Sequence, residues 1–312
     1  MKIPSAWLAL AGLLLLLGRS SASTNLYSSH FERSEGYNSA YELLGQNGWV
    51  TDSASYGGNG LVTNFLGGQA AYIGLFPLAP IDSYLDIWQP LNYSPVLQGM
   101  PVVRFSVVVS IVDSTTTNYD DFYWSVYNQQ GHALFTIDFF NGDLGVYYFL
   151  DGTNSPFVFT GKSFTNEVAY MLRITMDFAN NIWSATLDGT PLVGDQPMTV
   201  TGAPLNLGDI DALWIIANPA KPGDNFMIFD NYQVTADAAV PVRLSSLGRA
   251  ANGQFQLRLT GPSGARFAID ASANLFLWTA LKTNVISNGS FDFVDTAASG
   301  LARRFYRARK VL

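Results

Sequence analysis

The chain predicts an all-β fold: a two-sheet antiparallel sandwich followed by a smaller β domain. Three observations carry this. Between Val102 and Leu150, apolar and β-branched residues alternate with polar ones in short runs that Gly, Asn and Asp punctuate, the pattern of consecutive antiparallel strands. Beyond the N-terminus no stretch of useful length keeps a helical period. Of the 312 residues, 48% are hydrophobic and 14% aromatic, enough to fill a large core.

Taken in order, the chain opens with a leader. Lys2, an apolar run through 13–17 and small residues up to Ser23 have the form of a signal peptide over 1–23, cleaved after Ala22 or Ser23. The apolar run is shorter than the ~20 residues of a spanning helix. The mature protein is therefore expected outside the cell or on its surface, with no stable membrane insertion. Residues 24–101 start as loops rich in Gly, Asn and Ser, then give strand-like runs at 60–65, 69–76 and 84–91.

In the central block, Phe105, Val107, Val109 and Ile111 oppose Arg104, Ser106 and Ser110. Phe122, Trp124 and Val126 oppose Tyr123, Ser125 and Tyr127, and Phe135, Ile137 and Phe139 oppose His132, Thr136 and Asp138. Three neighbouring strands should thus share a dry face and a face of Tyr, Ser, Thr, His and Asp. That second face is the candidate for function. Alternation resumes with Leu172, Ile174 and Met176 against Arg173, Thr175 and Asp177, and again over 182–187 before the Asp188-Gly189 turn. Runs at 213–217 and 226–234 close the domain, a strand count that suits a sandwich. Small residues over 236–241 read as a linker, which sets the domains at 24–235 and 242–312.

There is no cysteine, so disulfides, thiolate metal sites and cysteine nucleophiles are excluded. Charge divides sharply. Residues 24–241 hold 5 basic and 21 acidic side chains, net −16, whereas 242–312 hold 10 and 3, net +7. Such opposition suits domains with different partners, or domains that attract each other. The basic run from Arg303 to Lys310 reads as a last strand with outward Arg, and an acidic exported protein is not expected to bind nucleic acid.

The segment HFERSEGYNSAYELLGQNGW, with FMIFDNYQV as a closing strand, resembles the concanavalin A-like (LamG-like) jelly-roll domains of secreted bacterial proteins, over roughly 25–236. The resemblance implies two packed antiparallel sheets that bind carbohydrate or protein. Some members carry calcium in loops and some are glycoside hydrolases. Beyond the linker, FAIDASANLFLWTAL, FDFVDTAA and RFYRA are similar to a C-terminal module of exported proteins of Verrucomicrobia-type bacteria. That implies a small β-sandwich with an accessory role such as surface attachment.

Catalysis finds little support. Hydrolases of this fold use Glu-x-Asp-x-Glu along a strand, because glycoside hydrolysis needs an acid and a base or nucleophile at fixed separation. The nearest segment runs from Thr136 through Asp138 to Asn141 and lacks both Glu, and the chain has only Glu32, Glu35, Glu42 and Glu167. An atypical site would need Asp138 and Asp177 to converge. A serine triad would need Ser125 and His132 together, and no Gly-x-Ser-x-Gly is present. Asp120, Asp121, Asp143, Asp209 and Asp211 sit in Asp-rich turns that offer oxygen ligands to calcium, though turns favour Asp for their own reasons.

Aromatic rings beside polar groups suit sugars, whose CH faces pack on rings while hydroxyls take hydrogen bonds. Tyr123, Tyr127, Asp138, Tyr147 and Arg173 are the candidates for ligand binding. The reading is an exported, non-enzymatic, lectin-like protein that binds polysaccharide or cell-surface glycan. The alternatives are a glycoside hydrolase or polysaccharide lyase with an Asp-based site, and a purely structural surface protein.

Overall fold

The structure, a computed structural model, describes residues 23–52, 57–75, 83–152, 155–262, 265–286, 289–301 and 303–311. All of the expected leader except Ser23 lies outside them. Among the described residues, fourteen strands build the first unit. They are β1 (Thr24–Ser29), β2 (Asn59–Phe65), β3 (Gly68–Gly74), β4 (Tyr84–Ile87), β5 (Val102–Val112), β6 (Asp121–Tyr127) and β7 (Ala133–Phe140). There follow β8 (Gly145–Leu150), β9 (Val158–Ser163), β10 (Tyr170–Asp177), β11 (Ile182–Leu187), β12 (Thr190–Gln196), β13 (Asp209–Ile215) and β14 (Phe226–Asp237).

Two antiparallel sheets result. An eight-stranded one runs β12-β11-β10-β5-β14-β3-β2, with β1 also on β14, and a six-stranded one runs β4-β13-β6-β7-β8-β9. No α-helix occurs among the described residues. This is the all-β jelly-roll sandwich. Its core forms where the period-two faces meet: Phe105, Val107, Ile174 and Trp183 from one sheet lie against Trp124, Phe135, Ile137 and Trp214 from the other, all buried. Phe135 stacks on Trp183 with ring centroids 3.9 Å apart.

One sequence expectation changes here. β5, β6 and β7 are not three neighbours. β5 lies between β10 and β14 in the larger sheet, while β6 pairs with β7 and β13 in the smaller one. The stretch between Val112 and Asp121 carries the chain from sheet to sheet. Asp120 fixes its end, accepting hydrogen bonds from Trp214 Nε1 (3.0 Å), the Gly223 amide (2.9 Å) and the Ala217 amide (3.1 Å).

The Gly- and Asn-rich segment after β1 is irregular, as its composition implies, yet it is not peripheral. Phe31, Tyr37, Leu43 and Trp49 are buried in the main core, and Trp49 Nε1 donates to Tyr37 Oη at 3.0 Å.

β14 continues through Asp237, with Ala236 buried, so sheet pairing extends two residues into the expected linker. Six further strands follow: β15 (Arg243–Arg249), β16 (Phe255–Thr260), β17 (Arg266–Ser272), β18 (Thr279–Val285), β19 (Ser290–Asp295) and β20 (Phe305–Lys310). They form two three-stranded sheets, β15-β16-β19 and β18-β17-β20, around a small core of Leu259, Phe267 and Ile286.

Candidate functional site

Registry across the six-stranded sheet assembles the candidate face. Because side chains alternate, each row of paired residues points the same way. One outward row runs Asp86, Leu213, Tyr123, Asp138, Tyr147, Phe159 from β4 to β9. The next holds Asp211, Ser125, Thr136 and Phe149, and beyond it Asp209 faces Tyr127.

The middle of this outward face is closed to solvent. Asp86, Asp138, Asp211, Ser125 and Thr136 are all buried. Ser125 and Thr136 satisfy each other through a 2.7 Å hydroxyl contact. Asp138 is 0% exposed, and neither of its carboxyl oxygens has a hydrogen-bond partner. Burial, reinforced by the charges of Asp121 and Asp143, pushes its pKa up to about 8. One oxygen of Asp211 is equally unpartnered. Burial and the Asp209 carboxyl beside it raise Asp211 well above the usual range, while burial takes Asp209 to about 6. Asp86 rises to about 6 through burial and the neighbouring Asp52.

Toward the β8–β9 edge the same face becomes aromatic and open. Rings pack in two files. Phe140 contacts Tyr147 (5.9 Å between centroids), which contacts Phe159 (5.1 Å). Tyr123 contacts Phe149 (5.7 Å), which contacts Phe157 (4.8 Å). Phe157 is 57% exposed and Phe159 51%. The Tyr147 hydroxyl donates to Asp143 at 2.6 Å, which fixes the ring.

The sequence candidates divide accordingly. Tyr123, Tyr127, Asp138 and Tyr147 share this face. Arg173 does not: β10 belongs to the eight-stranded sheet, and Leu172 and Ile174 occupy its core side. Arg173 is therefore exposed on the opposite outer surface of the sandwich. Asp177 lies on that strand too, bonded to Asn180 at the following turn, so Asp138 and Asp177 sit in different sheets and form no pair. Ser125 is engaged with Thr136, while His132 is exposed in the β6–β7 turn.

The acidic turns also separate. Asp120 locks a loop, Asp121 accepts from the Asn141 amide (2.8 Å), and Asp143 accepts from the Gly145 amide (2.8 Å) as well as Tyr147. Asp209 and Asp211 instead lie with Asp52 and Asp86. Among the described residues no group of three or more His, Cys, Asp or Glu is arranged to hold a metal ion.

Comparison with known families and with curated proteins finds no match. Solved structures do resemble the fold. A sialidase aligns at 11% identity and a TM-score of 0.47, over 68% of this chain and 18% of that one. An endo-β-1,4-glucuronan lyase from the fungus Trichoderma reesei aligns at 10% and 0.45, over 68% and 95%. The CBM2 module of an evolved Dit from Lactobacillus casei BL23 phage J-1 aligns at 11% and 0.46, over 70% and 97%. At such values the likeness is one of β-sandwich architecture, and ligands do not transfer with it.

The rings that reasoning from sequence missed are Phe140, Phe149, Phe157 and Phe159. The signal was present: Tyr147 and Phe149 alternate around Tyr148, and Phe157 and Phe159 around Val158.

Proposed function

We propose that the chain is an exported, lectin-like protein that binds glycan without catalysis, through the outer face of its six-stranded sheet. The observation that carries this reading is the pair of aromatic files ending in the exposed rings of Phe157 and Phe159. Contiguous exposed rings of this kind mark an interaction surface, and pyranose CH faces pack on them.

The pKa of Asp138 invites the catalytic alternative, since a carboxyl held protonated near neutrality suits a general acid. Its enclosure argues the other way. A 0% exposed carboxyl cannot come within hydrogen-bond reach of a glycosidic oxygen, and Asp177 supplies no partner. Lyase chemistry is disfavoured by charge. Uronate must be neutralised by a cation or by donors, whereas the outward strand positions of this face carry no Arg or Lys and hold Asp86, Asp121 and Asp209, which at about 6 are mainly ionised at neutral pH. The field favours neutral or amino-bearing sugars over uronates.

A glycan array, run with and without EDTA, tests the reading. Binding to neutral or amino glycans is expected, lost in Phe157→Ala and Phe159→Ala and kept in Asp138→Asn. Cleavage of any bound glycan that Asp138→Asn abolishes would establish the enzyme instead. Silence across the array would leave the face structural.

A further inference from the structure

The second unit carries a feature unrelated to the glycan face. Between β17 and β18 the chain runs Asn274-Leu275-Phe276-Leu277-Trp278, with Leu275 54%, Phe276 88% and Leu277 78% exposed. This knuckle is built, not loose. Ser272 Oγ accepts from the Leu275 amide (2.8 Å), Asn274 Oδ1 accepts from the Phe276 and Leu277 amides (both 3.0 Å), and Trp278 Nε1 donates to the Leu275 carbonyl (3.0 Å). Leu275 is held at φ 69°, a left-handed conformation that a non-glycine residue adopts at a cost. A fixed scaffold thus presents three large apolar side chains to solvent.

Its surroundings are basic. The knuckle leaves β17 at Ser272, which pairs with Phe305 at the start of β20, so exposed Arg303 lies at the same end, beside Arg304, whose charge Asp295 meets at 2.9 Å. The Arg307 guanidinium sits 4.3 Å from the Trp278 ring centre, and Arg249 donates to the carbonyls of Ala298 and Leu301. Leu301, 40% exposed, adds another apolar side chain. Two arginines, Arg307 and Arg309, share the single carboxylate of Asp270, which leaves positive charge uncompensated. The whole segment from 242 to 312 is net +7.

We propose that this end of the C-terminal unit is a peripheral attachment site for an anionic lipid surface. Leu275, Phe276 and Leu277 enter the headgroup–acyl boundary, and the arginines around them meet lipid phosphates. The combination of Phe, Leu and Trp with flanking basic groups is that of interfacial anchors. A glycan is a poorer occupant, because aliphatic side chains offer no ring face for stacking. A protein partner would meet only the open concavity that Leu277, Thr279, Leu301 and Arg304 line, whereas Phe276 and Leu277 themselves project, 88% and 78% exposed.

Sedimentation of the mature chain with vesicles tests the proposal. Vesicles of equal phosphatidylcholine and phosphatidylglycerol should bind it, phosphatidylcholine vesicles more weakly, and high salt should release it. The double variant Phe276→Ser/Leu277→Ser should lower partition by at least about tenfold with an unchanged melt, since both side chains are exposed. Arg303→Glu provides a second arm: weaker on mixed vesicles and unchanged on phosphatidylcholine. A wild-type chain that stays in the supernatant, or variants that partition like it, would overturn the proposal. So would knuckle-dependent dimerisation without vesicle binding, which would make the occupant a second copy.

Discussion

Asp138→Asn isolates the energetic consequence of enclosing a carboxyl on an outward face. A folded pKa of about 8 against the ordinary 3.8 means that the native state keeps a proton the unfolded chain has lost. Between those values the folded protein binds more protons, so its stability falls as pH rises. The sign is opposite to that of an ion-paired aspartate. Asp86, Asp121 and Asp209, each raised to about 6 by burial, act in the same direction lower on the scale and remain in the variant. These common groups cancel in the comparison, so from about pH 4 to about pH 8 the difference between the two proteins is one proton, worth ~1.4 kcal/mol per pH unit and roughly 5–6 kcal/mol across the window. At acidic pH the two should be nearly equal, because asparagine is a neutral isostere of the protonated group. Urea denaturation of both proteins across that range, with the slope checked for constancy, measures the difference. Parallel pH curves would refute the reasoning and mean that Asp138 is hydrated and ionised in the native protein.

Three further outcomes follow from packing and hydrogen bonding. Trp124→Ala should cost ~3–5 kcal/mol, since Trp124 is fully buried and its loss leaves a cavity; half-buried Tyr127→Ala should cost clearly less in the same melts. Asp120→Ala removes the acceptor for Trp214 Nε1 and the Ala217 and Gly223 amides, at about 3 kcal/mol, and amide hydrogen exchange should show the 217–223 stretch opening first. Gly208→Ala should destabilise by about 1–3 kcal/mol in denaturant melts, because a Cβ there would meet the Asn128 carbonyl oxygen at 2.5 Å.

Period-two alternation made the faces legible. Every residue it assigned to the dry side of β5, β6 and β7 is in the core, and Tyr123, Tyr127 and Asp138 lie on the outward side. What alternation cannot encode is the sheet a strand joins, because hydrogen-bonding partners are backbone groups common to all residues. Arg173 and Asp177 were correctly read as turning away from the core, yet they turn outward from the other sheet. The same blindness placed β5 beside β6. Trp49 and Phe31 escaped notice for a different reason: in an irregular segment no period marks which aromatic folds back, and only the three-dimensional closure against Phe229 and Tyr232 reveals it.

The two outer surfaces of the sandwich treat polar residues differently. On the eight-stranded sheet Arg104 pairs with Asp237 at 2.7 Å and reaches Thr175, in the open. That is how a solvated face satisfies its charges. On the six-stranded sheet Asp138 and Asp211 are enclosed with unpartnered oxygens, Asp138 near Asp121 and Asp143 and Asp211 near Asp209, Asp86 and Asp52. Substitution by Ser or Thr would preserve the fold at lower cost, as the adjoining Ser125–Thr136 pair demonstrates. Groups held against their own stability concentrate where a site needs them. Here they give an enclosed, protonated carboxyl floor beside rings that remain accessible. On the function proposed above, the rings would pack against a sugar, while the carboxylates that stay ionised at neutral pH, Asp86, Asp121 and Asp209, would disfavour an anionic one.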